Sequence, residues 1–263
     1  MKPIKYEYHR DRDSKLMLSE SKSYTVSPHF HHCVEIIYVK EGVIATTVNG
    51  ISFDAKEDEI IFVHGYATHE FAPNPSYIKY VIVIPPFYSS DFNATLKHTT
   101  LNSHLTDTEY NRKILRPLFE IIVKNEKVMP SSVKKGYLYV ILGSLFEHYP
   151  STPIKLPGNM DFMIGVLKYI EENYDKPITL DTLSATFGYS KYYFSKLFNR
   201  FIGDNINNYI NMVRIRSFTE KYKDEEGMRV AELAFSCGFD SLTTFYRYFN
   251  KYYKKNPKKF TSD

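Results

Sequence analysis

Two stretches in the C-terminal half of the chain repeat one another, and that repeat restricts the fold more than any other feature. Leu183-Ser-Ala-Thr-Phe-Gly-Tyr-Ser190 parallels Leu233-Ala-Phe-Ser-Cys-Gly-Phe-Asp240, and Lys196-Leu-Phe-Asn-Arg-Phe201 parallels Arg247-Tyr-Phe-Asn-Lys-Tyr252. The glycines Gly188 and Gly238 are 50 residues apart and the phenylalanines Phe198 and Phe249 are 51 apart, so one extra residue is expected at the second turn. Each copy holds a small residue, Ser184 or Ala234, where two helices come close. Each also has a glycine where the chain leaves the first helix with positive φ. This is the outline of a helix-turn-helix, present twice.

In the second copy an apolar helix (Val230, Leu233, Ala234, Cys237) runs into Gly238. Asp240 or Ser241 then caps a helix bearing Phe245 and Phe249 on one face. That helix and its tail carry Arg247, Lys251, Lys254, Lys255, Lys258 and Lys259, with no acidic residue between Ser241 and Phe260. A surface of this kind suits phosphates. The net charge of +4 is too modest to argue for nucleic acid, so the clustering carries that argument. Between the copies, a helix over Asn205 to Tyr222 would be roughly 27 Å long. It can set two recognition helices about one DNA turn, roughly 34 Å, apart, so that one chain enters two successive major grooves.

The remaining chain reads as a second domain, which 263 residues at 43% hydrophobic content can support. From Tyr24 to Pro85 short runs rich in Val, Ile, Tyr and Phe (34–39, 42–48, 60–63, 77–84) alternate with turn signals at Glu41-Gly42, Asn49-Gly50 and Asn74-Pro75, predicting an antiparallel barrel or sandwich. The period then becomes helical. Ile114, Leu115, Leu118, Phe119 and Ile122 form one stripe, and Tyr137, Leu138, Ile141, Leu142, Leu145 and Phe146 form another, with Met129-Pro-Ser-Ser132 as break and cap. Such helices cover the barrel, and one is also a candidate dimer interface. Three prolines and a glycine mark 150–159 as a linker, after which every segment is helical. Only Cys33 and Cys237 are present, no apolar run approaches the roughly 18 residues of a membrane span, and the first residues lack a signal-peptide core. A cytoplasmic protein without membrane association is expected.

Ala234-Phe-Ser-Cys-Gly-Phe239, followed by Ser241, Phe245, Arg247, Phe249, Pro257 and Phe260, resembles the signature of the AraC/XylS family of bacterial transcription regulators. Ser190, Phe194, Phe198, Gly203 and Tyr209 resemble the family's first helix-turn-helix. One departure is Lys254, where the family usually has glycine, which leaves the end of the second recognition helix open. The resemblance implies base-reading positions at Tyr192, Ser195 and Lys196 and at Leu242, Thr243, Tyr246 and Arg247. Helical spacing independently turns these away from Phe194, Leu197, Phe198, Phe245 and Phe249. Lys191, Asn199, Arg200, Lys251, Lys258 and Lys259 suit phosphates.

His29-Phe-His31-His-Cys-Val-Glu35, with His69 further on, resembles the two motifs of a cupin barrel, although His64, Tyr66 and Asp58-Glu59 depart from the second. In metal-dependent cupins the groups matching His29, His31, Glu35 and His69 bind one first-row metal, and imidazoles with a carboxylate suit iron, manganese, nickel or zinc. Regulators of the family often keep such histidines without metal. The expectation is therefore a sensor pocket lined by His29, His31, Glu35 and His69 for a sugar or other metabolite, with no cofactor. The alternatives are histidines with a structural or surface role and, ranked last, a bound metal on the same four residues. No phosphate loop, nucleophile elbow or zinc-finger spacing occurs.

The expected fold class is α+β, a cupin-like antiparallel β-barrel plus helices followed by an all-α domain with two helix-turn-helix motifs joined by a linking helix. The boundaries are 1–100 for the sensing barrel, 101–149 for a helical segment that is a candidate dimerisation element, 150–159 for the linker and 160–263 for DNA binding. The expected function is a non-enzymatic, ligand-responsive transcription regulator. Its expected partners are double-stranded DNA, a small-molecule effector and a second copy of itself, with RNA polymerase a further candidate. The competing readings are a cupin metalloenzyme with a DNA-binding appendage and a ligand-independent regulator.

Overall fold

The computed structural model describes residues 5–7, 10, 16–22, 25–72, 76–85, 92, 95–96, 99–154, 158–224, 229–254 and 257. Asn74, Pro75, Lys255, Lys258 and Lys259 lie outside these. The chain divides into two compact units, with the main boundary between positions 157 and 158 of the sequence.

Among the described residues the first unit is antiparallel in all but one of its strand pairings. Its strands are β1 (Lys5–Tyr6), β2 (Met17–Lys22), β3 (Val26–Phe30), β4 (Val34–Val48), β5 (Ile51–Lys56), β6 (Ile60–Val63), β7 (His69–Phe71), β8 (Tyr77–Ile84), β9 (Thr99–Leu101) and β10 (His104–Leu105). The parallel pairing joins β1 to β3. Strand β4 organises the sheet, since its first half pairs with β6 and β8 and its second half with β5 and β7. Among the described residues the pairings form no closed ring, so barrel closure stays an expectation.

Glu41-Gly42, expected as a turn between two strands, instead lies inside β4, directly after a register shift between Val39 and Glu41 that leaves Lys40 as an extra residue. The extra residue reverses which alternate positions face inward: Ile37 and Val39 before it share a core with Ile44 and Val48 after it. Gly42 adopts φ +81°, and a Cβ there would lie 2.4 Å from the Ser76 carbonyl. Asn49-Gly50 is a true hairpin turn, with φ of +48° and +80° between the paired Val48 and Ile51.

The other face of the sheet is covered by α1 (Arg116–Lys124) and α2 (Ser131–His148). Leu115, Phe119, Ile122, Leu138, Ile141, Leu142 and Leu145 pack on Ile36, Tyr38, Phe62 and Tyr80. Ile114 does not join this stripe. A π-helical turn over Asn111–Leu115 lengthens the local period, buries Asn111 and leaves Ile114 46% exposed. Asn111 donates to the carbonyls of Asp58 and Leu105 and accepts from the Tyr149 hydroxyl. Pro130, rather than a serine, occupies the N-cap of α2. Part of the expected linker is ordered, because β11 (Ser151–Pro153) pairs with β9.

The second unit holds α3 (Gly158–Asn173), α4 (Leu180–Thr186), α5 (Lys191–Ile202), α6 (Ile206–Asp224), α7 (Val230–Ser236) and α8 (Leu242–Tyr253). Helix α6 is buried on every side from Met212 to Thr219, because helix pairs pack on both of its flanks. Two arginines inside that stretch have local partners. Arg216 pairs with Glu171, and Arg214 donates to the carbonyls of Tyr174 and Lys176 beyond the end of α3. No helix among the described residues is long and apolar enough to cross a membrane.

Candidate nucleic-acid interface and histidine cluster

The sequence repeat is reproduced bond for bond in the backbone. After α4, the Gly188 and Tyr189 amides donate to the carbonyls of Ala185 and Ser184; after α7, those of Gly238 and Phe239 donate to Phe235 and Ala234. Both glycines hold left-handed φ, +73° and +85°. Ser190 then caps α5 through the Tyr193 amide, and Ser241 caps α8 through that of Thr244. The extra residue of the second turn is therefore Asp240. At the far ends the copies diverge in chemistry but not in conformation. Helix α5 stops at Gly203 (φ +77°), and α8 stops at Lys254 (φ +51°).

Phe194 and Phe198 on α5, and Phe245 and Phe249 on α8, are buried and anchor each recognition helix. On the opposite faces Tyr192, Lys196, Thr243, Tyr246 and Arg247 are exposed, Tyr192 at 79%. Ser195 and Leu242 are half-buried, and Leu242 packs partly on the core of the second motif, which limits the surface it offers. The Arg247 guanidinium lies 5.0 Å from the Tyr248 ring. Among the phosphate candidates Arg200 and Lys251 are exposed, and Lys191 is bound to Asp181 at 2.6 Å in a pair open to solvent. Such a pair is worth about 0–1 kcal/mol, so a phosphate competes readily for Lys191. The Asn199 amide, oriented to suit its neighbours, donates to the Ser195 and Asp204 carbonyls. Exposed Tyr193 and Tyr189, stacked at 5.4 Å, were not among the expected residues.

In the first unit His29, His31, Glu35 and His69 converge on the inner side of the sheet, all but excluded from solvent. Strand alternation puts Glu35 on the face of Ile37 and Val39, and β3–β7 pairing sets His29 directly opposite His69. Each imidazole Nδ1 meets a backbone carbonyl: His29 that of Ser27 at 3.0 Å, His31 that of Cys33 at 3.1 Å, and His69 that of Ala67 at 3.0 Å. Glu35 Oε2 lies 3.2 Å from His31 Nε2 and 3.4 Å from His69 Nε2. One potential ligand atom from each histidine falls within 4.8 Å of the others. The Nε2 atom of His29 is buried without a hydrogen-bond partner.

Burial lowers His29 to about 4, with the neighbouring His69 acting the same way. Burial also lowers His31, against the opposing pull of Glu35. For Glu35 burial works upward, but hydrogen bonds from His31 and His69 outweigh it and hold the carboxyl well below its ordinary range. Three further groups border the cluster without having been anticipated. Arg10 reaches Glu35 at 3.7 Å, Glu7 reaches His29 at 3.7 Å, and Lys79 stands over the Phe71 ring at 4.2 Å. Burial lowers Lys79 to about 8. Its inward position was readable from alternation with Tyr77, Val81 and Val83, whereas nothing in the sequence places Glu7 and Arg10 there.

Two helix-turn-helix motifs on one buried connecting helix define a DNA-binding transcription regulator. Residues 183–263 match the family model described as a helix-turn-helix domain. The chain is 30% identical over 96 residues to the multiple antibiotic resistance protein MarA of Escherichia coli, covering 36% of this chain and 75% of MarA. It is 31% identical over 97 residues to the probable transcription factor PqrA of Proteus vulgaris, covering 36% and 79%. It also resembles ToxT of Vibrio cholerae at 12% identity over 95% of this chain and 98% of that one, but with a TM-score of 0.42, too low to argue from. The chain belongs to the AraC family of transcription regulators.

Proposed function

We propose that this regulator reads double-stranded DNA with both motifs of a single chain, and that its N-terminal unit is a sensor rather than an enzyme. One observation carries the DNA half. The α4–α5 and α7–α8 pairs repeat down to their turn hydrogen bonds while keeping polar and basic side chains exposed on α5 and α8. A core does not require that duplication. Base reading falls to Tyr192, Ser195, Lys196, Leu242, Thr243, Tyr246 and Arg247, with Arg247 suited to a guanine edge and Leu242 to a thymine methyl. Lys191, Asn199, Arg200, Lys251, Lys258 and Lys259 hold phosphates, which position the protein without reading sequence.

The sensor half rests on the buried cluster of His29, His31, Glu35 and His69, whose polarity an apolar sheet core does not need. An effector held there shifts DNA affinity only by binding two states of the protein unequally. A homodimer is supported by α2, where exposed Val133 and Val140 share a stripe with Gly136 and Gly143, and nothing lies within 4 Å of a Cβ built on either glycine. The regulator acts in the cytoplasm, with RNA polymerase as the partner that receives its output. Genome-wide mapping of DNA bound by the full chain tests this reading. Bound regions are expected to share a motif spanning two successive major grooves on one face of the duplex, and regions with no common motif would contradict it.

A further inference from the structure

We propose that Tyr193, braced by Tyr189, is a further DNA contact of the first motif, its hydroxyl donating to a backbone phosphate on the wall of the groove that α5 enters. This rests on the reading of α5 as a DNA-contacting helix and adds to it a neutral contact that the second motif lacks.

Helical spacing places the residue. Positions 193, 196 and 200 are three and four apart, so Tyr193, Lys196 and Arg200 form one exposed stripe along α5, away from buried Phe194 and Phe198. Packing then fixes the ring. Tyr193 lies nearly flat on Tyr189, with centroids 5.4 Å apart and planes 18° from parallel, and Tyr189 is backed at 4.7 Å by Phe162 of α3. Phe162 meets the Phe194 ring edge-on at 6.0 Å, which joins the stack to the core of the motif. A tyrosine held in this way gives up little conformational freedom on binding, and its apolar body carries a hydrogen-bond donor at the tip.

The repeat supplies the contrast. Aligned on the caps Ser190 and Ser241, Arg200 corresponds to Lys251 and Tyr193 to Thr244; aligned on the turn glycines, Tyr189 corresponds to Phe239. Phe239 is 3% exposed against 39% for Tyr189, and the Thr244 hydroxyl is engaged with Ser241 at 3.1 Å within the helix cap. The basic position is thus kept in both copies, while the aromatic pair stands out from the first alone. Stacked tyrosines in line with basic side chains, at the edge of a reading face, suit a phosphodiester backbone, which accepts a hydrogen bond at phosphate and offers apolar contact at the sugar. Being uncharged, Tyr193 releases no counterion, so its contribution does not depend on salt as that of a lysine or arginine does.

The test measures the affinity of the full chain for a duplex carrying a site recovered by genome-wide mapping, and for the same duplex with that site scrambled, at several salt concentrations. Tyr193→Phe keeps the ring and removes the hydroxyl. An unchanged melting temperature is expected, with an affinity loss of about three- to tenfold on both duplexes and an unchanged salt slope. Tyr189→Ala should lose affinity to a similar extent and Tyr189→Phe should retain it; full affinity in Tyr189→Ala removes the bracing role. Unchanged binding in Tyr193→Phe, or a loss confined to the mapped site, overturns the phosphate contact. Arg200→Ala, measured alongside, separates this claim from the reading of α5. A salt slope reduced by about one in that variant, with Tyr193→Phe unaffected, removes the tyrosine contact alone. Binding unchanged in both variants removes this face of α5 from the interface, and the proposal with it.

Discussion

His29 and His69 face each other from β3 and β7 with ring centroids 4.1 Å apart, and each gives its Nδ1 hydrogen to the carbonyl two residues before it. Paired in this way, both rings turn their Nε2 atoms inward toward His31 and Glu35. The chain thus devotes the interior of one unit to a convergent polar cluster and the surface of the other to a duplicated DNA reader.

Lys254 ends α8 in the left-handed conformation that Gly203 adopts without strain at the end of α5. A side chain in that region costs about 1–2 kcal/mol relative to glycine. Lys254→Gly is therefore expected to stabilise the second unit by about 1 kcal/mol in denaturant unfolding followed by helical circular dichroism. Unchanged or lower stability would show that the lysine makes a compensating contact.

Gly188 and Gly238 share a backbone conformation but not a neighbourhood. A Cβ at Gly188 meets nothing within 4 Å, whereas one at Gly238 would lie 2.4 Å from the Tyr174 carbonyl. Gly188→Ala should cost about 1–2 kcal/mol for conformation alone. Gly238→Ala should cost a further ~1–3 kcal/mol for the clash. Equal losses in the two variants would mean that the turn yields around the added methyl.

Much of the second unit was legible because its determinants are local. Phenylalanines four residues apart fixed the buried face of each recognition helix, and serine caps with turn glycines fixed its ends. The first unit was less legible for two physical reasons. Glu41-Gly42 carries the chemistry of a turn, yet β4 runs through it just after a bulge at Lys40, with Glu41 and Gly42 still paired to β8. Ile114 fits a helical stripe, but the π turn ahead of α1 rotates it outward. Alternation alone puts His29 and His31 on one face, while the opposition of His69 depends on a long-range pairing that no short pattern encodes.

Asp58 is buried with φ +65° and accepts from Tyr38 at 2.6 Å, Arg112 at 2.6 Å and Arg116 at 3.2 Å. Burial alone would raise its carboxyl, but the hydrogen bonds from Tyr38 and Arg112 and the charges of both arginines hold it below its ordinary value. Because the folded pKa is depressed, the stabilisation is fully present above the unfolded pKa of about 4 and is lost as pH falls through the folded value. Asp58→Asn should cost about 1.5–3 kcal/mol at neutral pH and flatten the acid limb of the first unit's stability. An unchanged acid limb would assign that limb to other carboxylates.

If α2 supplies the dimer contact, Val140→Asp places a charge on its exposed stripe without entering the core, since Val140 is 52% exposed. Sedimentation should then show a shift from dimer to monomer at unchanged melting temperature. A dimer that persists in this variant would move the interface elsewhere.

The most direct test of the DNA-reading claim is the affinity of Arg247→Ala for a mapped site and for a scrambled duplex at one salt concentration. A base contact predicts a loss of about 1–3 kcal/mol on the mapped site and a much smaller loss on the scrambled one. Equal losses on both would reduce Arg247 to a phosphate contact and contradict the assignment of α8 as a sequence reader.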